Sequence, residues 1–358
     1  MRILFTGGGT MGSVSPLLAQ IDYLLSEHGF LPADFMWIGT ATGPEKAVIE
    51  RYDIKFKSIP AGKLRRYFSL RNFTDPFRIS RGYLQSLEYI QKFKPDLVVT
   101  AGSFVSVPVI MAAKTLRKPV LVHQLDLIPG LANKIMAKVA NVITVSWPEL
   151  LNKFPQKNVK WVGTPIRKHI LEPITGTLAP SLELDEDLPL ILVMGGGTGA
   201  VAINRLIGNA LQDLLSRYQV VHITGTGKKV NIDVNKEFKH RYWQFEFIHD
   251  DLGYLMHRAD LIISRAGIGT ISEILACNKP SIIIPIPDSH QEENAKYFND
   301  QGAIKVVSQV GQSPKSLAQE IDNILLDAKA QETIMNNASL LVKKDANELL
   351  TQEIFKFK

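Results

Sequence analysis

Two short apolar runs in this chain each lead into a glycine-rich turn and then a helical pattern, and this repeat constrains the fold more than any other feature. Arg2-Ile3-Leu4-Phe5-Thr6 runs into Gly7-Gly8-Gly9-Thr10-Met11-Gly12, and Leu190-Ile191-Leu192-Val193-Met194 runs into Gly195-Gly196-Gly197-Thr198-Gly199-Ala200. Glycine adopts dihedrals that other residues avoid, and at the start of a helix it lets a phosphate reach main-chain N–H groups. Two such turns predict two nucleotide-binding-type domains.

The intervening pattern supports that division. Apolar runs at Ile3–Phe5, Phe35–Ile38, Leu97–Thr100, Val120–His123 and Val142–Val145 read as strands, separated by helical stretches such as Pro16–Ser26. The second half repeats the alternation at Leu190–Met194, Val220–Thr224, Phe245–Ile248, Leu261–Ser264 and Ser281–Ile284. Alternation of this kind predicts parallel sheets covered on both faces. The expected division is a first domain over 1–162, a second over 163–340, and a helix over 341–358 that can return to the first.

With 358 residues, the chain is long enough for two such cores. Cys277 is the only cysteine, which excludes a disulfide framework. A strand at the very start leaves no room for a signal peptide, and no apolar run reaches the ~18 residues of a spanning helix. These features predict a cytoplasmic protein, soluble or peripheral. Charge is unevenly spread: residues 1–160 hold 21 Lys and Arg against 11 Asp and Glu, whereas the remainder holds 20 against 24. The basic first half favours an anionic partner, such as a membrane surface, a phosphorylated lipid or nucleic acid. A solvated basic face is the plainer alternative.

The glycine turns spell G-x-G-x-x-G and G-x-G-x-x-A, but a dinucleotide site also needs an acidic residue at the end of the second strand. Those strands end Trp37-Ile38-Gly39-Thr40 and His222-Ile223-Thr224-Gly225, without a carboxylate, which argues against an oxidoreductase. Ser15 suits a helix cap and Pro16 its first turn. Farther on, Ser264-Arg265-Ala266-Gly267-Ile268-Gly269-Thr270-Ile271-Ser272-Glu273 follows a strand and opens a helix. Glu273, expected in the first turn, has two oxygens suited to both hydroxyls of a ribose. Polar residues in Asp288-Ser289-His290-Gln291-Glu292-Glu293-Asn294 crowd the end of the next strand, where open parallel sheets bind ligands.

Taken in order, the first glycine turn, Gly102-Ser103-Phe104-Val105-Ser106-Val107-Pro108, His123-Gln124, Gly163-Thr164-Pro165-Ile166-Arg167, the Gly267–Glu273 segment and His290–Ala295 resemble the MurG-type N-acetylglucosaminyltransferases of glycosyltransferase family 28. The resemblance spans roughly residues 1–310. It implies an α/β GT-B fold, two Rossmann-like doubly wound domains facing a central cleft. It also implies inverting transfer of GlcNAc from UDP-GlcNAc to lipid I, giving lipid II, with no essential metal or other cofactor. On the donor side it implies that Glu273 holds the ribose and the Ile248 backbone reads uracil. Arg167, Gly197, Thr198, Gly199, Gly269 and Thr270 would hold the nucleotide end, and Gln291 and Asn294 would meet the sugar, with His290 nearby. On the acceptor side, Gly9, Thr10, Gly12 and Ser103 would line the pyrophosphate.

The chain departs from the family pattern in its first half. Met11 replaces a glycine, and Ser13 stands where the family has a histidine suited to act on the acceptor hydroxyl. The family's His-Glu-Gln-Asn reads His123-Gln124-Leu125-Asp126 here. Asp126 is the substitute candidate for general base, since an aspartate can take a proton in the transition state. Its alternative is a cap on the helix near Pro129–Lys138.

Between residues 63 and 83, Lys63, Arg65, Arg66, Arg71, Arg78 and Arg81 interleave with Tyr67, Phe68, Phe73, Phe77 and Tyr83. Basic and aromatic residues together suit a lipid surface. RNA would suit the same composition, but no RNP, KH or zinc motif accompanies it. A solvated loop with a few core aromatics is the plain alternative. Asp185-Glu186-Asp187 has the spacing of a metal-binding D-x-D but reads as a solvated turn, and His28 and His257 have no evident partners. Two rivals stay open: a related transferase with another lipid or glycan acceptor, and a non-catalytic nucleotide-sugar-binding scaffold at the membrane.

Overall fold

The computed structural model describes residues 1–62, 71–154, 158–172, 182–196, 199–248 and 251–358, with only the backbone at 71–74. The chain divides into two compact units, Met1–Arg167 with Lys343–Lys358, and Lys168–Val342.

In the first unit, β1 (Ile3–Thr6), β2 (Phe35–Gly39), β3 (Lys55–Ser58), β4 (Leu97–Thr100), β5 (Val120–Gln124), β6 (Val142–Val145) and β7 (Val159–Trp161) form one sheet, ordered β3-β2-β1-β4-β5-β6-β7. In the second, β8 (Leu190–Met194), β9 (Gln219–Ile223), β10 (Tyr242–Phe245), β11 (Leu261–Ser264), β12 (Ser281–Ile283) and β13 (Lys305–Val306) are ordered β10-β9-β8-β11-β12-β13. All these pairings are parallel. The central strands are buried along their whole length because helices cover both faces, so they read as apolar runs.

Three strands had no such signal: β3, β7 and β13. Each lies at a sheet edge, where Lys55, Lys57, Lys160 and Lys305 interrupt the apolar pattern. Charged edges of this kind resist pairing with other chains. The strand expected at Phe245–Ile248 forms instead at Tyr242–Phe245, in register with Val220–Ile223. Phe247 is left exposed.

The first helix also differs at its start. It runs Ser15–Glu27 with Val14 as the cap residue and no side-chain cap, so Ser15 is inside the helix. The Met11 carbonyl instead accepts from the Val14 and Ser15 N–H groups, continuing the turn directly into the helix. Helix Ala346–Phe355 packs against this helix: Gln20 donates to Thr351 (2.7 Å), and the Asn347 amide donates to the Ala19 carbonyl (3.0 Å). Asn347 also accepts from the Ile166 N–H (3.0 Å).

Two histidines expected to lack partners have them. His28 lies 3.5 Å from Glu348 and against the Phe355 ring, and His257 meets the Ile170 carbonyl at 2.8 Å. Cys277 is the buried residue just after helix Ile268–Ala276, and burial raises its thiol pKa to about 12. No described helix is long and apolar enough to cross a membrane.

Candidate functional site

Each glycine turn sits at the carboxyl end of the strand where its sheet reverses order, β1 beside β4 and β8 beside β11. A crevice opens at such a switch point because consecutive connections leave to opposite faces.

At the first switch point, side chains from three places hold the turn. Trp37 Nε1 donates to the Gly7 carbonyl (3.0 Å), Ser103 Oγ donates to the Gly8 carbonyl (2.7 Å), and the Gly9 N–H donates to Glu45 Oε2 (3.1 Å). Ser103 adopts φ 99°, a strained value for a residue with a side chain. Gly9 has φ 80°, and a Cβ there would lie 2.8 Å from the Phe104 ring, so only glycine suits the position. Thr10 and Gly12 are exposed. Ser13 Oγ is buried and has no hydrogen-bond partner among the described residues.

Asp126 is half-buried in the loop after β5. Its carbonyl accepts from Gln124 Nε2 (2.5 Å), and Gln124 Oε1 accepts from Asn133 (2.6 Å). A Cβ on Gly102 would lie 2.7 Å from Asn133 Oδ1, so this mesh brings the Asp126 loop beside Gly102 and Ser103. The helix expected to be capped by Asp126 runs Leu131–Ala137 with Gly130 as its cap residue and no side-chain cap. His123 is fully buried between Thr144 (2.9 Å) and Ser146 (3.1 Å), and burial lowers its pKa to about 3. It is neutral at pH 7, with both ring nitrogens engaged.

At the second switch point, Gly197 and Thr198 lie outside the described residues. Gly199 has φ 72°, and its missing Cβ makes room for the Thr224 carbonyl. Lys228 Nζ donates to the Gly199 carbonyl (3.3 Å). Asn204 donates to the Thr224 and Lys228 carbonyls (2.9 and 3.1 Å) and joins His222 Nε2 (3.1 Å), whose Nδ1 meets the Tyr242 hydroxyl. Burial lowers the His222 pKa to about 4.

The loop after β11 brings Gly269, Thr270 and Glu273 to the same edge of the sheet. Glu273 is the sixth residue of helix Ile268–Ala276, one turn later than expected, and is 8% exposed. Arg265, whose fixed role sequence reasoning missed, donates to the Ile284 and Pro285 carbonyls (3.0 and 3.1 Å) and to Gln309 (2.7 Å). It thereby ties the β11 loop to the end of β12, and burial lowers its pKa.

Helix His290–Asp300 starts at the cap Ser289, whose hydroxyl accepts from the Gln291 N–H. His290 is exposed, and Gln291 accepts from the Ile286 N–H (3.2 Å). Asn294 is only 1% exposed, with its amide 3.4 Å from the Ala266 carbonyl. Ile248 is buried just beyond β10. Arg167 is the last residue of the first unit's opening segment, whereas the other donor candidates belong to the second unit.

Glu45 was also missed. The second strand ends without a carboxylate in sequence, but Glu45, five residues later, turns back so that its Oε1 accepts from the Thr40 N–H (2.7 Å) and hydroxyl (2.5 Å). The signal available was Gly43-Pro44-Glu45, a turn and helix start with an acidic residue. Asp185–Asp187 is an exposed turn. No group of three His, Cys, Asp or Glu suited to a metal occurs among the described residues.

The membrane candidates are only partly described. Lys63, Arg65, Arg66, Tyr67 and Phe68, and the side chains of Arg71 and Phe73, lie outside the description. Along helix Arg71–Phe93, Phe77 (79% exposed), Arg78, Arg81 and Leu84 (63%) are exposed, while Gly82, Ser86 and Ile90 face inward. Tyr83 is bonded to Thr115 (2.9 Å).

Known proteins match both halves. The Glycosyltransferase family 28 N-terminal domain matches residues 3–145 and the Glycosyltransferase family 28 C-terminal domain matches residues 190–350. The chain is 38% identical over 338 residues to a UDP-N-acetylglucosamine–N-acetylmuramyl-(pentapeptide) pyrophosphoryl-undecaprenol N-acetylglucosamine transferase of Bacillus thuringiensis, covering 93% of this chain and 94% of the relative. A protein of the same name from Lachnoclostridium phytofermentans is 37% identical over 347 residues, covering 94% of each. Among solved structures, MurG of Acinetobacter baumannii matches with a TM-score of 0.74 and 26% identity over 99% of both chains. A UDP-GlcNAc 2-epimerase from Neisseria meningitidis, with a TM-score of 0.67 and 15% identity over 99% of this chain and 100% of that one, shares the fold. Two parallel-sheet Rossmann-like units with these matches make a GT-B fold. The chain belongs to glycosyltransferase family 28, with the MurG-type N-acetylglucosaminyltransferases.

Proposed function

We propose that this chain transfers N-acetylglucosamine, with inversion, from UDP-GlcNAc to the muramyl sugar of lipid I, forming lipid II. The observation that carries the reading is the 38% identity across both halves to a transferase of that name. Glu273, beside the second switch point, supports it as the ribose acceptor on the donor side. The helix starts at Val201 and Ile268 supply N–H dipoles that favour the charge of departing UDP.

Asp126 is the general base in this reading, and Thr10 and Gly12 face the acceptor's pyrophosphate. The reaction runs without an essential metal. The polyprenyl acceptor requires work at a membrane surface, on the cytoplasmic face where nucleotide sugars are made. Phe77 and Leu84, flanked by Arg78 and Arg81, provide apolar and basic contacts for docking there.

UDP release from UDP-GlcNAc, measured with a lipid I analogue and with other polyprenyl-linked acceptors, tests the reading. Turnover on the lipid I analogue supports it. Turnover only on another acceptor supports the related transferase, which the Ser13 and Gln124 departures favour. UDP-GlcNAc binding without turnover on any acceptor identifies a scaffold. For the membrane part, Phe77→Ser with Leu84→Ser should weaken binding to anionic vesicles by about tenfold or more. Activity on a water-soluble acceptor analogue should be unchanged. Unchanged vesicle binding would rule out this helix as the docking face.

A further inference from the structure

The first glycine turn already holds an anion of its own. Glu45 is completely buried, and its hydrogen-bond partners among the described residues are the Gly9 N–H, the Thr40 N–H and the Thr40 hydroxyl. None of these is a cation. Both carboxylate oxygens accept and neither donates, the pattern of an ionised carboxylate. Burying such a group is costly unless donors are built around it. The chain makes that space with glycine, since a Cβ at Gly8 or Gly43 would overlap the carboxylate and one at Gly39 would press on it. The Gly9 N–H, which an open turn would offer to a ligand phosphate, is engaged from behind. With Trp37 on the Gly7 carbonyl and Ser103 on the Gly8 carbonyl, three successive residues are fixed by three side chains.

We propose that Glu45 is a positioning residue for the acceptor: its carboxylate takes the anion position of the first glycine turn and fixes the turn as a rigid wall against which the acceptor sugar is oriented. The acceptor diphosphate is therefore met by groups other than the Gly9 N–H. Glu45 touches no substrate and acts through the turn.

The kinetic part of the test rests on the transferase reading, and the exchange part does not. Glu45→Gln keeps the shape but turns one acceptor oxygen into a donor, which must face an N–H. In the full-length protein, amide hydrogen exchange over residues 4–17 should be faster in E45Q than in the wild type. The KM for the lipid I analogue should rise about tenfold, the loss of one hydrogen bond to a charged group. The KM for UDP-GlcNAc should stay within about twofold. Thr40→Val, which removes only the hydroxyl donor, should move the same readouts less and serves if E45Q does not fold. Faster exchange with equal rises in both KM values, or with neither changed, overturns the proposal, as does unchanged exchange. If the wild type turns over no acceptor, the transferase reading fails, and the exchange comparison alone decides whether Glu45 fixes the turn.

Discussion

The two glycine turns share a backbone design but are finished with opposite charges. At the first, a buried carboxylate, Glu45, accepts from a turn N–H; at the second, an ammonium, Lys228, donates to a turn carbonyl. An anionic ligand gains nothing from the first arrangement and is attracted by the second. The same strand–turn–helix unit thus serves two tasks, and the side chains behind the turn distinguish them more than the glycines within it.

The largest effect that could break this contrast concerns the first half's chemistry. Asp126→Asn should lower kcat by about 10²- to 10⁴-fold, the range for a lost general base, with the KM for UDP-GlcNAc unchanged. Intact turnover would remove Asp126 from that role. On the other side, Glu273→Ala should cut kcat/KM for UDP-GlcNAc by about 10- to 100-fold through lost hydrogen bonds to a charged group. UDP binding should weaken in parallel, and an unaffected Kd for UDP would leave Glu273 a helix residue only.

Smaller, and aimed at the charge contrast itself, is Lys228→Met. It should weaken UDP by about three- to tenfold, as expected for one partly exposed charged contact, and uridine much less. Equal losses for both ligands would make Lys228 structural.

A stability effect, separate from these kinetic ones, is shared by the halves. His123 and His222 are held neutral by burial, at about 3 and about 4, below the ordinary 6.5. Below pH 6.5 the unfolded chain binds more protons at these positions than the folded one, so stability falls as pH drops from 6.5 toward 4 and is level above it. Thermal melts across that range should have a shallower pH slope in His123→Gln and in His222→Gln. A slope unchanged in both would assign the acid sensitivity elsewhere.

Much of the fold was legible in the sequence because fully buried parallel strands must be apolar throughout. β1, β4, β8 and β11 were read almost to the residue. Edge strands such as β3, Lys55-Phe56-Lys57-Ser58, were not, since a half-exposed strand carries charge where the core strands cannot. The switch-point loops were legible from glycine and polar clusters, but the direction of a side chain was not. Asn294, expected to meet the donor sugar, lies buried with its amide near the Ala266 carbonyl. Glu45 drew no notice in the sequence, yet its side chain reaches back to Gly9. Both depend on tertiary returns of the backbone that local sequence does not encode.

The tie between helix Ala346–Phe355 and helix Ser15–Glu27 has a consequence for biosynthesis. Gln20, Ala19 and Ile166 find their partners in Thr351 and Asn347, which the ribosome adds only after the whole second unit. At about 5–20 residues per second, the first unit waits many seconds for its last helix. Until then, the helix that follows the first glycine turn lacks part of its cover. The half made first is completed last.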